Sequence, residues 1–204
     1  MTIVALLLAA GASSRFGGPN KLLLPFGDGE VVIQRVARTI HAAGVEHIVV
    51  VTGHQQHDVM SALKSMQCEF VHNPRYAEGE MISSIRVGLA YLTDTATQAA
   101  LIVLGDQPLI PVWVIRQLSD AFGRGCGDIL APKFRAQRGH PVLIARRFWP
   151  EAMQLPDGAA MRTLLQRHPN DVAHLLVNSD VVLRDVDTPA LYAEAVKTVM
   201  SHEP

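Results

Sequence analysis

Short apolar runs alternating with segments of helical spacing constrain the fold of this chain more than any other feature of its sequence. Residues 3–8, 48–51 and 101–104 are continuous and rich in branched side chains, the mark of strands buried on both faces. Residues 69–71 read as a further short strand. Between these runs, residues 31–43, 56–66 and 81–92 carry apolar side chains at helical spacing, and Gly44 ends the first. Pro111 opens another helix that continues through Phe122, because the fixed φ of proline suits a first helical turn. This alternation predicts an α/β fold with a doubly wound, mostly parallel sheet between two helix layers, joined by right-handed crossovers.

The second half is less regular. Residues 129–131 and 142–145 read as strands joined by a polar loop over 133–141. A helix over 159–167, short strands over 175–177 and 181–183, and a closing helix over 189–200 complete the pattern. No repeat, low-complexity tract or long linker interrupts the 204 residues, so a single domain over 1–204 is expected.

Ligands of doubly wound sheets bind beyond the carboxyl ends of the strands. Two segments leave such ends. After residues 3–8 the chain breaks into Ala9-Ala10-Gly11-Ala12-Ser13-Ser14-Arg15-Phe16-Gly17-Gly18-Pro19-Asn20-Lys21. Small residues let backbone N–H groups approach an anion, and Arg15 and Lys21 can neutralise it. The loop is not a Walker loop, since Lys21 is followed by Leu22, nor a dinucleotide fingerprint, since Ser13 and Phe16 stand where glycines belong. It reads either as a polyphosphate site or as a solvated surface loop.

After residues 101–104 comes Gly105-Asp106-Gln107-Pro108. Asp106 could hold a hard cation such as Mg²⁺, which favours one or two carboxylates plus phosphate oxygens, or could bond its own turn. Asp187, in the stretch Asp185-Val186-Asp187-Thr188-Pro189, is a second metal-ligand candidate. The same stretch is a helix start with Asp187 or Thr188 as cap. Ser83 and Ser84 stand in the first turn of the 81–92 helix, where they could bond an anion or a base or serve as caps. Arg135, Arg138 and His140 around Gly139 could grip an anionic second substrate or form a solvated basic hairpin.

Composition narrows the partners. A formal net charge of −1 gives no bulk electrostatic case for nucleic acid or a membrane surface. Cys68 and Cys126 are too far apart for a metal-ligand pair and are expected to be reduced thiols. The apolar start lacks a positively charged lead-in, and no stretch has the length of a membrane span, so a cytoplasmic location is expected.

Taken in order, these segments resemble a known family. The loop from Leu8 to Lys21 resembles the signature loop of the nucleotidyltransferases that act on the molybdenum cofactor, the MobA-like NTP transferases, and most of all their cytidylyl-transferring branch. The blocks Asn73-Pro74-Arg75-Tyr76 through Leu89, Gly105 through Ile110, Arg138 through Ile144, Pro156 through Leu165 and Asp185 through Pro189 resemble that family's later blocks, so the likeness covers nearly the whole chain. The resemblance implies a Rossmann-like nucleotide-diphospho-sugar transferase fold and an Mg²⁺-dependent transfer of CMP from CTP to a molybdopterin-type acceptor, with release of pyrophosphate. It implies that Leu8, Ala9, Ala10, Gly11, Ala12, Ser13 and Ser14 bind the nucleotide together with Arg15, Lys21, Ser83, Ser84 and Asp106. Arg15, Lys21 and Asp106 become the catalytic residues, Asp106 and Asp187 the metal ligands, and Gly139 and His140 the acceptor side. Ala10 stands where guanylyl-transferring relatives tend to have glycine, which leans towards CTP. Phe16 for methionine, Gly18-Pro19-Asn20 before the lysine, and Glu80 for glycine depart from the family pattern. Two other readings share these residues: a transferase of the same fold using GTP or another phosphate acceptor, and a non-catalytic protein delivering the cofactor to a molybdenum hydroxylase or its chaperone.

Overall fold

The computed structural model describes residues 2–27, 29–78 and 80–201. Its centre is an eight-stranded sheet. Strands β1 (Ile3–Ala9), β2 (His47–Thr52), β3 (Cys68–His72), β4 (Ala99–Leu104), β5 (Ile129–Phe134), β6 (Gln137–Arg138), β7 (Val142–Ala145) and β8 (Val172–Leu176) are arranged β3-β2-β1-β4-β7-β5-β6, with β8 also paired to β5. Pairings of β1 with β2 and β4, β2 with β3, and β5 with β8 are parallel. Only β7, wedged antiparallel between β4 and β5, and the short β6 run the other way.

The apolar runs become two-sided strands, as their composition requires. On β1, Ala5, Leu7 and Ala9 enter one core while Val4 and Leu6 enter the other. The first core is covered by α1 (Val32–Ala42), α2 (Gln56–Ala62), α4 (Val112–Gly123) and α7 (Pro189–Met200). The second is covered by α3 (Met81–Leu92), α5 (Trp149–Gln154) and α6 (Met161–Arg167). The result is a three-layer, mostly parallel sandwich. Helix α1 illustrates the local logic. Val32, Ile33, Val36, Ala37 and Ile40 form its buried stripe, Gln34 accepts from the Val31 N–H at 2.8 Å, and Gly44 at φ 88° turns the chain away.

Several sequence expectations need correction. The span 181–183 is not a strand: Asp180–Leu183 is a 3-10 turn whose Val182 carbonyl accepts from His140 N–H. β-Branched composition is overridden there, because this segment packs against β5 and β6 without joining the sheet as a strand. The strand expected at 175–177 begins earlier, at Val172, where β5 supplies its partner. Helix α2 stops at Ala62, not at 66, and the loop over 133–141 contains β6. Helix α5 was missed because it is short and begins with Trp149-Pro150, which pattern alone does not separate from a turn. Cys126 is exposed and Cys68 partly buried; both are free thiols, and burial pushes Cys68 up to about 11. Among the described residues, no helix is long and apolar enough to cross a membrane.

Candidate active site

The carboxyl ends of β1 and β4 open onto a cleft of about 370 Å³. Its floor is the loop that leaves β1. The Ala10 carbonyl accepts from His54 N–H at 3.2 Å, which ties the start of the loop to the end of β2. Gly53 makes this approach feasible, because a Cβ there would sit 2.7 Å from that carbonyl and 2.5 Å from the Tyr76 Cβ. Ser13 takes a left-handed conformation at φ 53°, and its hydroxyl accepts from Lys21 N–H at 3.3 Å. Asn20, 3% exposed, accepts from Leu22 N–H at 3.1 Å. The loop is thus closed on itself, and the Lys21 side chain is turned inward.

Two carboxylates meet that lysine. Asp106 follows Gly105, whose N–H donates to Leu8 carbonyl at 3.0 Å and whose missing Cβ would lie 2.8 Å from the same oxygen. The Asp106 carbonyl in turn accepts from Val186 N–H at 3.0 Å, bringing the distant Asp187 alongside. Thr188 is the cap of α7, accepting from Leu191 N–H at 3.3 Å, so the Asp187 carboxylate is released from capping. Lys21 Nζ donates to Asp106 Oδ2 at 2.5 Å and to Asp187 Oδ1, and Arg15 reaches Asp187 Oδ2 at 2.7 Å. Burial opposes the charge of Lys21, yet Asp106 and Asp187 outweigh it and raise its pKa above the ordinary lysine value. Asp185, which does not line the cleft, is held above the usual carboxylate range by burial, then by the charges of Asp187 and Asp106.

Asp106 Oδ1 is buried and has no hydrogen-bond partner among the described residues. Two facing carboxylates, one with a bare oxygen, fit a magnesium-type cation that completes its shell with phosphate oxygens. No set of three or more His, Cys, Asp or Glu among the described residues could hold a metal alone, so the remaining ligands would come from substrate or water.

The opposite wall is built by the segment after β3 and the first turn of α3. Tyr76, Ala77, Glu80, Met81 and Ser84 line it. Asn73, 1% exposed, donates to Ser83 Oγ at 2.9 Å and Ser84 Oγ at 3.0 Å and so fixes the helix start. Arg75 and Arg86 both pair with Asp157, at 2.9 and 2.5 Å, which fastens the loop before α6 across this wall.

Of the residues singled out from sequence, Leu8, Ala10, Gly11, Ala12, Ser13 and Ser14 line the cleft, as do Arg15, Lys21, Ser84, Asp106 and Asp187. Others do not. Ala9 points into the core at 1% exposure, as strand alternation demands. The Ser83 hydroxyl donates to Glu80 carbonyl at 2.7 Å and is buried behind Ser84. Gly139 packs beneath the Asp180–Leu183 turn, where a Cβ would fall 2.2 Å from Val182 carbonyl oxygen. His140 lies within the electrostatic reach of Asp106 without lining the cleft; burial lowers its pKa, against the opposing pull of Ile102 carbonyl and Asp106. Asn73, Tyr76 and Gly53 went unassigned in the sequence. The Asn73-Pro74 turn before a helix carrying two serines was the available signal for the first.

Residues 5–172 match the family model described as the MobA-like NTP transferase domain. The molybdenum cofactor cytidylyltransferase of Escherichia coli (strain K12) is 27% identical over 188 residues, covering 92% of each chain. The nicotine blue oxidoreductase of Paenarthrobacter nicotinovorans is 27% identical over 197 residues, covering 91% of this chain and 92% of that protein. Among solved structures, Rv0371c of Mycobacterium tuberculosis H37Rv superposes with a TM-score of 0.83 at 26% identity, over 97% of this chain and 98% of that one. A further structure of Rv0371c is a complex with manganese.

Proposed function

We propose that this chain, which belongs to the MobA-like NTP transferase family and is a nucleotidyltransferase, moves CMP from CTP to the terminal phosphate of a molybdopterin-type acceptor and releases pyrophosphate. The observation that carries the reading is the convergence of one loop's backbone, Lys21, Arg15, Asp106 and Asp187 on a single cleft.

In this reading the triphosphate lies along Ala10 to Ser14, with Lys21 and Arg15 neutralising the charge that develops on the leaving pyrophosphate. Asp106 and Asp187 would hold Mg²⁺, which when bound supplies positive charge to the phosphate oxygens. The acceptor phosphate attacks the α-phosphorus in line. Its second pKa is about 6, so it is already ionised at neutral pH and needs no general base. The protein's work is then alignment and charge compensation. Ala10 lines the cleft, and the family resemblance puts it where guanylyl-transferring relatives tend to have glycine, which supports CTP. Gly139 and His140 belong, in this reading, to the acceptor side, and a molybdenum hydroxylase or its chaperone is the receiving partner.

The test is pyrophosphate release with CTP, GTP, UTP and ATP in turn, each with molybdopterin and Mg²⁺. Turnover is expected with CTP, and Asp106→Ala should lower it by about 10²–10³-fold. Turnover with GTP in its place, or an unimpaired Asp106→Ala enzyme, overturns the assignment.

A further inference from the structure

The carboxylate of Glu80 makes no hydrogen bond or ion pair among the described residues. It stands at the N-cap of α3, where a side-chain oxygen would ordinarily accept from the first free N–H groups, but makes no such bond. Its Oε2 is buried without a hydrogen-bond partner among the described residues. A bare, buried carboxylate oxygen is costly, and the protein keeps it beside the cleft. Glu80 also stands apart from the cations of the triphosphate side, since Lys21 and Arg15 pair with Asp106 and Asp187 and not with Glu80. It is the one carboxylate on a wall otherwise made of Tyr76, Ala77, Met81 and Ser84. That wall is therefore matched to the uncharged end of a nucleotide.

Ser84 supplies the complementary group. Its oxygen accepts from Asn73 Nδ2 at 3.0 Å, which leaves its own O–H to donate. An acceptor at Glu80 next to a donor at Ser84 mirrors the edge of cytosine, where the N4 amine donates and N3 accepts. Uracil reverses both: O4 accepts and N3–H donates.

We propose that Glu80 selects the base of the nucleotide, accepting a hydrogen bond from the exocyclic amine of cytosine and rejecting uracil, with Ser84 donating to the ring. The proposal rests on the CTP reading above and adds the residue that discriminates.

Calorimetric titration of the full chain with CTP and with UTP, both in Mg²⁺, tests it without an acceptor. The two bases have the same size and differ at C4 and N3, so their affinity ratio isolates this contact. The wild-type protein should favour CTP by about 10- to 100-fold, the range for one hydrogen bond to a charged group. Glu80→Gln can offer its amide N–H to O4, so CTP should weaken, UTP should tighten, and the ratio should fall at least about tenfold. Glu80→Ala should weaken CTP and bring the ratio near unity. Matching thermal melts of the three proteins establish that the variants are folded. A CTP:UTP ratio unchanged in both variants overturns the role of Glu80 and leaves nucleotidyl transfer standing. Failure of every nucleotide to release pyrophosphate would instead sink the transferase reading itself.

Discussion

Replacing Lys21 by alanine should unmask the charge held in the cleft. In the free protein one ammonium compensates two carboxylates, and all three side chains are shielded: 11% exposed for Lys21, 23% for Asp106 and 12% for Asp187. Breaking a buried ion pair by deleting one partner costs about 3–5 kcal/mol, because a charge is left uncompensated. Asp187 keeps Arg15, but that guanidinium is 78% exposed and offsets little. Among the described residues Asp106 then keeps no hydrogen-bond partner on either oxygen, since Oδ1 is already unpartnered. These terms place the expected loss near the lower end, about 3 kcal/mol, or roughly 6–12 °C in Tm for a chain of this size. Urea denaturation in EDTA measures it. Mg²⁺ then provides the second half of the test. In the variant the cation can enter between the two carboxylates unopposed, whereas in the wild type it competes with Lys21. Millimolar Mg²⁺ should therefore stabilise Lys21→Ala more than the wild type. Equal stability of the two proteins in EDTA, or an equal response to Mg²⁺, would refute the reasoning.

Three further outcomes follow from the same structure. Gly139→Ala should lose at least about 1–3 kcal/mol, since the added Cβ meets backbone at Val182 and not a movable side chain; unchanged urea midpoints would contradict the packing described. Asn73→Ala should cost about 1–3 kcal/mol by removing a buried amide that holds two serine hydroxyls, and should weaken CTP binding through Ser84; calorimetry reads the second effect. The folded-state pKa of Asp185 is raised, so the folded protein binds its proton more tightly than the unfolded chain and Asp185 opposes folding once it is ionised. Asp185→Asn should accordingly be more stable than the wild type at neutral pH, with the gain shrinking as pH falls through the raised folded-state value and gone below the ordinary carboxylate value of 3.8. A gain independent of pH would show another origin.

The alternation of apolar runs was sufficient to read the layered α/β architecture, because a strand buried on both faces must be apolar at every position and leaves an uninterrupted mark in the sequence. The loop after β1 was legible for a similar reason: a backbone that must approach an anion excludes bulk, and small residues plus two cations are visible one after another. What the sequence could not decide were relations between residues far apart in the chain. Whether Asp187 caps α7 or faces Asp106 was open in the sequence; Thr188 takes the cap, and the Val186–Asp106 backbone bond brings Asp187 against Lys21, 166 positions away. Ser83 and Ser84 look alike in sequence, and only the rotation of α3 separates the buried one from the one that lines the cleft. Asn73 belongs to a turn in the sequence and Glu80 is only a departure from the family pattern, until the fold closes around them. Local composition records what a segment needs from its own backbone, while an ion pair, a cleft wall or an unpartnered oxygen exists only once separate segments have packed together.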